Sequence, residues 1–299
     1  MKSSFDRWEP SDKSTWPFQS FNQYNLELGK QLLAYKAASK KVYSILGEKH
    51  ANWEDDIETH FQFSPIKKAA IFSDLKDWSN AHNAFDNWVN LNSLVFSSSN
   101  LETYMATVIR LALESDPGLI FGSSKVIDGV ILLKQQQAYK YEFDSEITNC
   151  TKGDWQSRIS GFEKLFGKVP AQMIENIAEL EAVRRLRNNV AHAIGRDIED
   201  SRIHGVKKIL PIEKVSNDRT NKYHAIIRQV AKSVDDQLLR DHIGEYQAIY
   251  FYHTMYPELR QDIHPSERAV IFKKGIGRIC ETTKSKDYCK QLVAYYEAI

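Results

Sequence analysis

The chain has 299 residues, 42% hydrophobic and 26% charged, an ordinary globular composition long enough for one large core or two modest ones. Its net charge of +1 excludes a global basic field, so any nucleic-acid contact must come from a local patch. Cys150, Cys280 and Cys289 form no CxxC and are odd in number, which excludes a simple disulfide framework and leads us to expect a reducing, cytoplasmic setting.

Few glycines and prolines interrupt the chain, and the segments between them show helical spacing. The N-terminus, Met1 to Pro10, is charged and lacks an apolar stretch, so no signal peptide is expected. The first helix is predicted from Phe21 to Gly47, with Leu28, Leu32, Tyr35, Ala38, Val42 and Ile45 recurring at three- and four-residue steps. Ser64-Pro65 has the form of a helix start, and the helix it opens is expected to run to Phe96. Ser99-Asn100-Leu101-Glu102 has the form of a capping box and predicts a new helix, which Asp116-Pro117-Gly118 ends.

Residues 118–154 are the least regular, and Val126 to Leu133 reads as a short strand or extended arm. The longest apolar runs, such as Val130 to Leu133, are far too short to cross a membrane. Helices are predicted from Asp154 to Phe166, from Ala171 to Ile194 and from Asp218 to His242, with a charged loop over Gly195 to Val215. Two or three more follow, one opening at His264-Pro265-Ser266-Glu267. The expected class is all-α.

The helix from Ala171 carries the residues of interest. Leu180, Val183, Leu186, Val190 and Ile194 form an apolar stripe. Asn188 and His192 lie one turn apart, far from that stripe, and Arg187 sits near its edge with a side chain long enough to reach round. Histidine moves protons near neutral pH, and arginine offers a permanent charged fork for phosphate oxygens. Asparagine can orient either. RNA brings its own nucleophile, the 2′-hydroxyl, so one base and one phosphate clamp are the minimum needed to cut it. A solvated helix face is the plain alternative.

Arg187-Asn188-x-x-x-His192 resembles the RNxxxH signature of HEPN ribonucleases. Trp155-Gln156-x-Arg158-x-x-x-Phe162-x-Lys164-Leu165-Phe166-Gly167 resembles the lead-in of the RiboL-PSP-type branch, and Leu101-Glu102-Thr103-Tyr104 its earlier helix. The resemblance spans roughly residues 65–240. It implies a HEPN-like helical bundle over 64–242, preceded by a helical segment 1–63 and followed by a helical extension 243–299.

By the same resemblance, His192 is the general base or acid, Arg187 stabilises the charged transition state and Asn188 supports the geometry. The reaction needs no metal or other cofactor and leaves a 2′,3′-cyclic phosphate. A homodimer brings two motifs together, and the setting is a toxin or antiviral defence effector with an antitoxin or sensor partner. The rival reading is a non-catalytic HEPN module that binds a partner protein or nucleotide.

Other residues carry weaker readings. Arg184 and Arg185 either grip the RNA backbone or sit solvated. Glu102 is either an auxiliary acid, as in some HEPN members, or the capping residue of its box. Glu181 stands one turn before Arg185 and is expected to pair with it. The remaining histidines show no metal-ligand spacing. Gly275-Ile276-Gly277 lacks the strand and third glycine of a nucleotide loop. Tyr246, Tyr250, Phe251 and Tyr252, at helical spacing, read as core or interface rather than base-stacking groups.

Overall fold

The computed structural model describes residues 5–62, 71–137, 141–204, 210–260, 262–279 and 283–299. Among these residues the chain is all-helical, as expected, and no strand occurs. No helix among them is long and apolar enough to cross a membrane. The helices are α1 Trp16–Glu48, α2 Leu75–Ser115, α3 Gly129–Lys134, α4 Asp144–Thr151, α5 Trp155–Phe166, α6 Ala171–Glu175, α7 Ile177–Ala193, α8 Ile198–His204, α9 Asn217–Leu238, α10 Tyr246–Met255, α11 Pro265–Ile276 and α12 Lys286–Ala298. Residues contact one another in two compact units, 1–21 with 100–181 and 226–299, and 22–99 with 182–225. Both units are discontinuous in sequence.

Three sequence expectations are corrected. Ser99 to Glu102 open no helix, because α2 runs unbroken through them. Their side chains serve tertiary contacts instead: Asn100 Nδ2 donates to the Phe21 carbonyl at 3.1 Å, and Glu102 accepts from Arg158. Val126 to Leu133 hold no strand, since the Asp128 carboxylate caps Val130 N–H and starts α3. The helix expected from Ala171 to Ile194 is broken at Asn176, whose Nδ2 donates to the Gln172 carbonyl, and α7 begins after it. The Ser64-Pro65 start lies outside the described residues.

Local signals hold elsewhere. The Asp154 carboxylate caps α5 through Ser157 N–H, and His264 Nδ1 caps α11 through Ser266 N–H. Among the described residues of the charged loop after Gly195 there is one short helix, α8.

The first unit, of 1–21, 100–181 and 226–299, is a core threaded by the N-terminal segment. Arg7 is buried at 2% exposure, paired with Asp128 at 2.9 Å and donating to Ser115. The Arg7 carbonyl accepts from Glu245 N–H at 2.7 Å. Gly244, at φ +55°, is required here: a Cβ would stand 2.2 Å from that carbonyl. Thr15 binds Asp235, which also accepts from Tyr104 Oη at 3.2 Å. Phe18 and Phe21 close on the same tyrosine ring. Tyr246, Tyr252, Phe272, Leu292 and Tyr296 are all buried. The tyrosines read as core thus include two true core residues, whereas Tyr250 is 45% exposed.

The second unit, of 22–99 and 182–225, has a small apolar core and several polar ties. Leu46, Ile57 and Leu75 are buried, with Val42, Tyr43, Phe61, Phe72 and Trp78 packed around them. Leu46 takes the inward place predicted for Ile45, which is 39% exposed. Lys36 is held by Asp86, by Asn90 Oδ1 at 3.3 Å and by Asn217 Oδ1 at 2.7 Å. Asn87 brackets the segment before α9, donating to the Glu213 carbonyl and accepting from Val215 N–H, both at 2.9 Å.

Candidate active site

The Arg187, Asn188 and His192 positions all fall on the C-terminal half of α7. Val183 and Leu186 are each 3% exposed and anchor that half by its apolar face. Val190 is half-buried. The predicted stripe fails at its last member, because α7 ends at Ala193 and Ile194 turns outward at 65% exposure. Ala193 is buried in its place.

The end of the helix is tightly built. Ile194 adopts φ +57°, a left-handed conformation that costs an ordinary residue about 1–2 kcal/mol. Gly195 follows at φ +78°, with its N–H donating to the Asn189 carbonyl and its own carbonyl accepting from Glu213 N–H at 2.8 Å. A Cβ on Gly195 would lie 2.9 Å from Ile212 Cγ2 and 3.3 Å from Leu91 Cδ1. The carbonyl of Ala193 accepts from the Arg196 guanidinium at 2.9 Å. Ile194, two residues after His192, is a strained backbone position of the kind that persists only when its surroundings over-determine it.

Within this frame the Arg187 guanidinium donates to Asn188 Oδ1 at 3.0 Å, and both side chains are half-buried. His192 is exposed in the last turn, one turn beyond Asn188 on the same face. Arg184 is half-buried and Arg185 exposed. The second stretch of this unit, 182–225, holds six Arg and four Lys against five Asp and Glu, a net +5. The rest of the chain is therefore net acidic, since the whole carries only +1. The basic charge is thus concentrated in this segment of the sequence.

The other candidates have identifiable contacts. Glu102 Oε1 lies 3.1 Å from the Arg158 guanidinium, both with side chains largely buried, and Arg158 stacks over Trp155 at 4.8 Å. Trp155, Arg158, Phe162 and Phe166, quoted for the resemblance, form the buried face of α5. Glu181 accepts from Trp155 N–H at 3.3 Å.

Sequence reasoning missed His224 on α9. Its ring nitrogens lie 3.0 Å from Ser93 Oγ and 2.8 Å from Ser97 Oγ, and burial pushes its pKa down to about 4. Both serines are buried, so the group is a packed polar tie rather than an open nucleophile. Only the one-turn spacing of Ser93 and Ser97 hinted at it. In the first unit, His242 Nδ1 lies 3.0 Å from Asp116, which also accepts from Ser124 Oγ.

A cavity of about 850 Å³ lined by Leu119, Asn149, Lys152, Gly161 and Lys164 belongs to the first unit and holds none of the motif residues. Among the described residues no group of three His, Cys, Asp or Glu side chains is placed to hold a metal ion. Comparison with protein-family models, with curated proteins and with solved structures finds no match.

Proposed function

We propose that the protein is a metal-independent endoribonuclease of the HEPN type, acting through Arg187, Asn188 and His192. The observation that carries this reading is the α7 arrangement: a guanidinium tied to Asn188, with a solvent-accessible imidazole one turn further along the same face. The net +5 of residues 182–225 supports a polyanionic substrate.

In this reading His192 takes the proton from a ribose 2′-hydroxyl, or returns one to the leaving 5′-oxygen. The 2′-oxygen attacks the adjacent phosphorus and the 5′-oxygen departs, leaving a 2′,3′-cyclic phosphate. Arg187 neutralises the charge that builds on the non-bridging oxygens. Asn188 holds the guanidinium in place through its Oδ1. A homodimer placing two α7 helices together, and an antitoxin or sensor that restrains the activity, belong to the same proposal. The test is metal-free cleavage of RNA by the wild type beside His192→Ala and Arg187→Ala variants.

A further inference from the structure

The second unit carries an aromatic pair that its core does not use. Phe85 and Trp88 sit one turn apart on α2, 50% and 47% exposed, with ring centroids 5.5 Å apart and planes within 18°. Tyr35 of α1 meets Phe85 edge-on at 5.8 Å and backs the pair. Asn87, between the two rings in sequence, holds this turn of α2 against Glu213 and Val215. Leu91, one turn beyond Trp88 (~5 Å along the axis), has its Cδ1 3.3 Å from where a Cβ on Gly195 would stand. Gly195 is three residues past His192. The rings therefore belong to the stretch of α2 that supports the end of α7.

The charges of these elements favour one occupant. Lys214 lies between the two residues that Asn87 grips, and Arg196 follows Gly195, both in the net +5 segment. Asp86, beside the pair, is paired with Lys36. Flat exposed rings beside cations are what single-stranded nucleic acid uses, because every base has a π face and every nucleotide a phosphate.

We infer that Phe85 and Trp88 form a base-stacking platform for single-stranded RNA beside the Arg187–His192 site. The inference rests on the ribonuclease reading, and it adds the side chains that hold the unpaired bases. Bases near the cleaved linkage stack on the rings while Lys214 and Arg196 follow the backbone.

The test uses the full chain carrying His192→Ala, which keeps the RNA intact, and a fluorescein-labelled oligoribonucleotide of about 12 nucleotides, within the span of single-strand binders. Anisotropy gives Kd for the single strand and for its duplex. Trp88→Ala is expected to weaken single-strand binding roughly 5- to 100-fold. Trp88→Phe should retain most of the affinity, and Trp88→Leu, which keeps apolar area without a ring, should not. Duplex binding should be weaker and the same in all variants.

Single-strand binding by Trp88→Leu equal to wild type overturns the platform, as does no binding by the parent protein. So does a change in oligomeric state on Trp88→Ala by light scattering, which would assign the face to a second copy. RNA held through Trp88 but never cut by the wild type would refute the ribonuclease reading and leave the platform standing. Cleavage with KM unchanged in Trp88→Ala would do the reverse.

Discussion

The end of α7 sets two adjacent residues in opposition, and substitutions there should move stability in opposite directions. Gly195→Ala places a Cβ on a backbone at φ +78°, 2.9 Å from Ile212 Cγ2 and 3.3 Å from Leu91 Cδ1. The left-handed conformation costs about 1–2 kcal/mol for an L side chain. Crowding the buried Leu91 and the 40%-exposed Ile212 adds about 1–3 kcal/mol. The sum, about 2–5 kcal/mol, is a large part of a typical stability. Ile194→Gly removes the left-handed penalty at a side chain that is 65% exposed. Little packing is lost, and the added freedom of the unfolded chain offsets part of the gain, leaving a stabilisation of about 0.5–1 kcal/mol. Urea unfolding followed by far-UV circular dichroism reads both. A neutral Gly195→Ala together with a destabilising Ile194→Gly would refute the strained helix end.

Two further outcomes follow from buried charge. His224 has its pKa pushed down to about 4 by burial, below its unfolded value, so the unfolded chain binds the proton first. Stability is unaffected above the unfolded pKa and falls as the pH drops from there toward 4, by about 2 kcal/mol between pH 7 and 5. His224→Gln should remove most of that slope in urea titrations at the two pH values, and an unchanged slope would contradict the assignment. Glu102→Ala should cost about 3 kcal/mol by leaving Arg158 buried without its carboxylate. A lost cleavage rate with unchanged unfolding would instead mark Glu102 as an auxiliary acid.

Much of the architecture is legible locally because its signals are local. Asp154 and His264 cap the helices they precede, and Asp116-Pro117 ends α2. The failures share one cause, which is tertiary use of a locally persuasive residue. Ser99 to Glu102 read as a capping box until Phe21 and Arg158 claim Asn100 and Glu102. Ile194 fits the helical stripe by spacing, but the close approach of Leu91 and Ile212 at Gly195 turns the chain first. Of the site, the Asn188 and His192 spacing is visible because it lies within one helix. The His224 tie joins residues 127 and 131 positions apart, and no periodicity connects them. The pairing of Phe85 with Trp88 was open to reading as one helical turn, but their exposure was not.

The central claim is that Arg187, Asn188 and His192 cut RNA without a metal. Its most direct test is incubation of purified wild type, His192→Ala and Arg187→Ala, each confirmed folded, with total RNA in EDTA. The account predicts cleavage by wild type that leaves 2′,3′-cyclic phosphate ends, reduced about 10²- to 10⁴-fold in each variant. Equal cleavage by all three proteins, or none by the wild type, would contradict it.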